Sequence, residues 1–240
     1  MAKLYLVPTP IGNLEDITFR AVNILKTSDF ILAEDTRTSG NLLKHYEIST
    51  RVQSYHQYNE HAVLQSVVNK IRASETVSLI TDAGTPGISD PGFLLVRECI
   101  KNDIKVECLP GATAFVPALV CSGFSCEKFI FEGFLPHKKG RNSRLEQIKG
   151  HSYTFILYES PFRLYKTLEQ LKEYLGGERQ AAVAREISKI HEEYQRGSLS
   201  DLCEIYKDKA IKGEIVIIVE GKKDNTSITE NDKEEEDNNL

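Results

Sequence analysis

Along the first half of the chain short strand-like runs rich in apolar residues recur, at 4–7, 30–33, 77–80 and 105–109. Runs of this length, bounded by turn residues, predict strands buried on both faces. Between them the period lengthens to that of a helix. In DITFRAVNILKTSD, Asp16 is expected to cap a helix whose inner face carries Ile17, Ala21, Ile24 and Leu25. Asp90 followed by Pro91 reads as an N-cap and a proline at the first helical position, predicting a helix through FLLVRECIKN. Such alternation calls for parallel strands joined by crossovers, an open α/β sheet whose ligands gather at the strands' carboxyl ends.

The second half reads differently. Strands are expected at 129–134, 154–158, 181–184 and 215–219, but one strong helix stands out among them, SPFRLYKTLEQLKEYLGG. Ser160 is expected to cap it, Pro161 to start it, and Gly176 or Gly177 to end it. A shorter helix is predicted over 199–210. The pattern implies a second α/β unit with some antiparallel pairing, entered near 116–124. The expected division is an N-terminal α/β domain at 1–116, a C-terminal α/β domain at 117–222, and an acidic tail at 223–240 expected to be disordered. Strand runs end in polar residues: Glu34, Asp35 and Thr36; Thr81 and Asp82; Tyr158, Glu159 and Ser160; Arg185 and Glu186. If the strands are parallel, these ends share one edge.

Charge matters only once it is located. The formal net charge is −5, but residues 222–240 hold seven acids against three lysines, so the rest of the chain is nearly neutral. The tail has almost no apolar residues with which to offset the entropy of ordering. Five cysteines, odd in number and without a CxxC spacing, point to reduced thiols and to neither a structural disulfide nor a metal site. MAKLYLVPTPIGN has the pattern of neither a signal peptide nor a membrane span. A soluble, cytoplasmic protein without membrane contact is the expectation.

The loop TDAGTPGISDPG, residues 81–92, is longer than a strand-to-helix connection needs. Gly84, Thr85, Pro86 and Gly87 add bare backbone, which lets a ligand approach closely. The chain has no GxxxxGK[ST], and no GxGxxG opens a helix after the first strand, so neither a P-loop nucleotide nor a standard dinucleotide is expected. VPTPIGNLED forms a stiff facing lip, and LPGATAF adds Pro110, Gly111, Ala112, Thr113 and Ala114 after the next strand. Three such turns suit an adenosine without phosphates.

LYLVPTPIGNLEDIT, AEDTRTSGNLLKHY, LITDAGTPGISDPG, LPGATAFVPALVCSGF, FEGFLPHKKGRNSRL, YESPFRL and AREISKIHEEYQRGSL resemble blocks of one family, in order and over nearly the whole chain before the tail. It is the ribosomal RNA small subunit methyltransferase I family of the tetrapyrrole methylase superfamily. The resemblance implies a two-domain tetrapyrrole-methylase-like α/β fold, with a mainly parallel N-terminal sheet and a mixed C-terminal one. It also implies a homodimer, S-adenosylmethionine in the interdomain cleft, and methylation of a cytidine ribose 2′-hydroxyl in the decoding region of 16S ribosomal RNA in the small ribosomal subunit. Carried over by position, Pro8, Gly84, Thr85, Pro86, Ile88, Thr113 and Ala114 fall where the superfamily contacts the cofactor. Tyr158 and Glu159 are candidates from the second domain. Thr85 stands where small-molecule members usually have aspartate in a GDP turn, a departure the RNA-modifying family shares.

A ribose hydroxyl is a poor nucleophile until something accepts its proton. Glu34, Asp35 and Glu186 are the candidate carboxylates, and His56 and His61 the available histidines, with no basis for choosing among them. Strand-end acids also cap helices, and EDTRTS allows Asp35 to bond a turn amide while Arg37 pairs with Glu34. The mixed charges of REISKIHEEYQRG are expected to neutralise one another. PHKKGRNSR differs, because Lys138, Lys139, Arg141 and Arg144 fall close together with no acid among them. Gly140 and Asn142 predict a loop there, suited to RNA phosphates. The alternatives are a methylase of a small macrocycle and a ribosome-assembly protein without turnover.

Overall fold

The structure, a computed structural model, describes residues 2–222, so the acidic tail lies outside the described residues. It contains two five-stranded sheets. The first is built from β1 (Lys3–Leu6), β2 (Phe30–Ala33), β3 (Val52–Ser54), β4 (Thr76–Ile80) and β5 (Lys105–Cys108) in the order β3-β2-β4-β1-β5. All its pairings are parallel. Helices α1 (Phe19–Thr27), α2 (Thr36–His45), α3 (Glu60–Arg72) and α4 (Phe93–Lys101) connect the strands. One face buries Val7, Ile31 and Ile80 against Ala21, Leu25 and Leu43 of α1 and α2. The other buries Leu4, Leu32 and Leu79 against Val67, Ile71 and Leu95 of α3 and α4. Burial on both faces is why the inner strands β2 and β4 are nearly continuous apolar runs, whereas the edge strands β3 and β5 carry polar residues.

This strand order has a consequence for binding. From β1 the chain leaves towards β2, and from its neighbour β4 it leaves past β1 to β5. Connections that depart in opposite directions open a crevice at the carboxyl ends of adjacent strands. The first loop and the 81–92 loop start there.

Helix α5 (Phe115–Ser122) leads into the second sheet, made of β6 (Phe129–Phe134), β7 (Thr154–Glu159), β8 (Gln180–Arg185), β9 (Glu193–Ser198) and β10 (Ile215–Val219) in the order β6-β7-β10-β8-β9. β6 and β7 are parallel and the remaining pairs antiparallel. Helices α6 (Arg141–Lys149), α7 (Leu164–Leu175) and α8 (Leu199–Tyr206) cover one face around Phe155, Leu157 and Ile217. The other face, with Ile156, Ala182, Ala184 and Val216, packs on Ala118 and Leu119 of α5 and on Ile11 from the first loop. That contact joins the two halves. Among the described residues no helix is long and apolar enough to cross a membrane.

Several boundaries differ from the expected ones. Thr18, not Asp16, caps α1, accepting from the Ala21 amide at 3.0 Å. α4 starts at Phe93 behind Gly92, so Asp90 is no cap. α7 starts at Leu164, after a turn through Ser160 and Pro161. β3 and β9 were hidden from pattern reading: β3 is short, and β9 is a polar edge strand, EYQRGS. The basic segment is no long loop either, because α6 begins at Arg141.

Candidate active site

The three glycine-rich turns meet at the carboxyl edge of the first sheet. Thr9 and Gly84 exchange backbone hydrogen bonds of 2.9 Å in both directions, and Thr9 Oγ1 donates to the Thr81 carbonyl at 3.1 Å. Thr85 Oγ1 donates to the Ala112 carbonyl at 3.0 Å, tying the second turn to the third. Gly84 sits at φ +83°, a conformation that side chains rarely adopt. A β-carbon on Gly111 would lie 2.6 Å from Pro8 Cβ, so only glycine lets the first and third turns touch.

Facing these turns are the ends of β6 and β7 and the start of β10. Register places Glu159 and Arg185 on either side of Ile215, so the polar ends of β7 and β8 share one edge, while those of β2 and β4 share an edge of the other sheet rather than the same one. Between the halves lies a cavity of about 450 Å³. Its first wall is Ile11 with residues 82–85 and 88–90, backed by Thr113 and Ala114; its second includes Phe134, 158–161 and 213–216. The size is that of a small-molecule site.

Of the expected cofactor contacts, Gly84, Thr85, Ile88, Thr113, Ala114, Tyr158 and Glu159 line this cavity. Pro8 and Pro86 do not; both are buried behind the wall, where they stiffen it. Burial raises the Tyr158 hydroxyl, whose ring meets Phe131 and Phe134 edge-on at 5.1 and 5.6 Å. Glu159 lines the cavity, but its oxygens are engaged elsewhere. They accept from the Ser160 amide and Thr167 Oγ1, each at 2.7 Å, and from Arg163 Nη2 at 2.6 Å.

Three carboxylates from the first sheet's loops line the cavity within range of one another's charge. Glu34 follows β2, Asp82 comes two residues after β4, and Asp90 lies near the end of the loop. Asp90 is pushed up to about 7 by burial, then by the charges of Glu34 and Asp82. Burial, then Asp82, raises Glu34 as well; burial also raises Asp82.

The other expected proton acceptors are placed differently. Asp35 caps α2 and is outside the cavity lining. It accepts from Arg37 N at 2.8 Å and pairs with the Arg37 guanidinium at 2.9 Å, which holds its carboxyl down to about 2. Arg37 therefore pairs with Asp35, not Glu34. Glu186 also lies outside the lining, salt-bridged to Lys189 at 2.8 Å and accepting from the Glu214 amide at 2.9 Å. The Lys189 contact holds its pKa below the ordinary carboxylate value. Arg185 pairs with Glu193 at 3.0 Å, so REISKIHEEYQRG largely neutralises itself.

The basic segment is also corrected. Arg141 is only 6 % exposed, too buried to reach a phosphate. It donates to the Pro136 carbonyl at 3.1 Å, Thr167 Oγ1 at 2.7 Å and Gln170 Oε1 at 2.8 Å, and lies 3.8 Å from Glu159. Arg144 is ion-paired with Glu132. Lys138 and Lys139 remain exposed.

Sequence reasoning missed Asp82 and Asp90 as site groups. Asp90 looked like a helix cap because Asp-Pro is a common helix start. The available signal was two aspartates in a loop otherwise stripped of charge. Among the described residues no group of three or more His, Cys, Asp or Glu could hold a metal ion.

The tetrapyrrole (corrin/porphyrin) methylase family matches residues 3–203. The ribosomal RNA small subunit methyltransferase I of Synechocystis sp. is 46 % identical over 222 residues, covering 92 % of this chain and 80 % of that one. Its counterpart from Hydrogenobaculum sp. is 48 % identical over 226 residues, covering 93 % and 97 %. Among solved structures, diphthine synthase superposes with a TM-score of 0.70 at 12 % identity, covering 92 % of this chain and 90 % of that one. Cobalt precorrin-4 methyltransferase superposes with a TM-score of 0.65 at 16 % identity, covering 91 % and 95 %. At such identities the structures show a shared fold alone.

Proposed function

Because the chain belongs to the tetrapyrrole methylase family, and within it to the ribosomal RNA small subunit methyltransferase I family, we propose that it methylates the 2′-hydroxyl of a cytidine ribose. The methyl donor is S-adenosylmethionine and the target lies in the decoding region of 16S ribosomal RNA. The protein acts as a homodimer on the small ribosomal subunit in the cytoplasm. The relatives' name supports the substrate class. The observation that carries the reading is a nucleoside-sized cleft with one wall of main chain and small side chains, lined also by the carboxylates of Glu34, Asp82 and Asp90.

The residues present fit the donor. Ile88, Ala114 and Val216 offer apolar surface for an adenine, and the Ala83 main chain and the Thr85 amide, which the turn-to-turn hydrogen bonds leave open, face its polar edges. The carboxylates of Glu34, Asp82 and Asp90 suit a molecule bearing positive charge. Bound there, S-adenosylmethionine would supply an electrophilic methyl on sulfur.

What the chain's own residues contribute is alignment and proton handling. The cross-linked turns hold the cleft rigid, so donor and acceptor are positioned at near-attack distance, an effect that can lower a barrier by several kcal/mol. Glu34 and Asp90 are the groups suited to accept the hydroxyl proton, replacing Asp35 and Glu186. Asp90, its pKa pushed up to about 7 by burial, is matched to neutral pH. Asp35, held at about 2, is too weak a base.

The test is incubation of the purified protein with methyl-labelled S-adenosylmethionine and small ribosomal subunits from cells lacking this methylation. Label is expected on one ribose 2′-oxygen of 16S ribosomal RNA. Label on a base, or none, would overturn the reading.

A further inference from the structure

Phe162 is 94 % exposed although the cleft wall reaches the residue beside it. Leaving a phenylalanine in water forgoes roughly 2 kcal/mol of burial. The backbone that carries the ring is nevertheless held on both sides. Pro161 before it lines the cleft, Arg163 after it is pinned to Glu159 at 2.6 Å, and the Arg163 amide closes a turn on the Ser160 carbonyl at 2.9 Å. A second aromatic ring, Phe134, lines the same cleft and is 53 % exposed.

The basic segment lies on this side of the molecule. Arg141 reaches from the Pro136 carbonyl to Thr167 and Gln170, fastening residues 136–141 against the first turns of α7. Phe162 belongs to the turn that enters that helix. Lys138 and Lys139 are carried on the fastened segment, exposed and without a carboxylate partner among the described residues. Aromatic rings and unpaired cations beside a cleft match single-stranded RNA, whose unstacked bases lie on aromatic faces while phosphates meet lysines.

We propose that Phe162 is a stacking platform for an unpaired base of the RNA, with Lys138 and Lys139 holding neighbouring phosphates and Phe134 guarding the cleft mouth. This rests on the ribosomal RNA reading above, and it adds that the target segment enters splayed rather than as duplex. Arg141 serves as a positioning residue that sets the lysines beside the ring.

The test uses the full chain and a fluorescent single-stranded oligoribonucleotide of about ten nucleotides, read by anisotropy across a salt series. The same sequence annealed as a duplex is the control. The single strand is expected to bind the more tightly. Phe162→Ala should weaken binding by about fivefold to a hundredfold without altering the salt slope, and Phe162→Trp should restore it. Replacing Lys138 and Lys139 together with alanine should reduce the slope by roughly 1.4. Binding by Phe162→Ala within twofold of the parent, or failure of tryptophan to rescue, overturns the proposal. So does a loss of self-association by Phe162→Ala with RNA affinity intact, which would assign the ring to a contact between copies. A protein that binds the oligonucleotide as described yet methylates no subunit sinks the proposed reaction and leaves the platform standing.

Discussion

The two walls of the cleft are made of different material. The wall from the first sheet is main chain: turns knotted together by the Thr9 and Gly84 amides and by Thr85 on Ala112, with a left-handed glycine at their centre. The second wall is held by side chains. Glu159, buried at the end of β7, is locked by Thr167 and Arg163, and Arg141 ties that same network to the segment leading out of β6. A main-chain wall tolerates little change in backbone conformation, whereas a side-chain wall tolerates little change in charge. The two should therefore fail in different ways.

The largest expected effect separates the carboxylates. Asp90→Asn should slow single-turnover methyl transfer by about 10²-fold to 10⁴-fold, the usual contribution of a positioned proton acceptor. Glu186→Gln, outside the cleft, should leave the rate within about threefold. The reverse ranking would restore Glu186 as the base.

The next effect tests the walls against each other. Arg141→Leu removes a partner from the buried network and should lower unfolding stability by about 3 kcal/mol in a urea titration. Its donor affinity, measured on protein still folded, should change little. Gly84→Val should do the opposite: near-native far-ultraviolet circular dichroism, with calorimetric donor affinity reduced by about a hundredfold or more. Equal loss of stability and affinity in both variants would show that the walls are not distinct.

The smallest effect is a pH dependence. Asp90 titrates at about 7 in the fold, above its ordinary range, so between that range and neutrality the folded state binds more protons than the unfolded one. Its contribution to stability therefore falls as pH rises through that window, and is lowest above 7. Asp90→Asn should melt within error of the parent near pH 4 and a few degrees higher at pH 8. A stability gain that shrinks with rising pH would contradict the burial of this carboxyl.

Much of the fold was legible because burial on both faces leaves continuous apolar runs. Phe30–Ala33, Phe129–Phe134 and Ile215–Val219 fall where the pattern places strands, and the glycine-rich loops were readable as ligand turns since nothing else accounts for their length. The site was legible in its backbone part and misread in its charges. Arg141 looked like a surface cation in a run of cations, and its burial depends on Thr167 and Gln170, which pattern reading does not place beside it.

The chain's own order of residues determined which turns are bare and where most strands run, local properties of composition and spacing, and the resemblance of its blocks carried the family. Tertiary structure alone decided that Asp90 is pushed up to about 7, and which cations stay free. β2 lies beside β4 rather than beside β1, and that adjacency brings Glu34 to Asp82 and Asp90. A charge's acidity and reach depend on its distance to other charges and to water, and those distances exist only once the chain has folded.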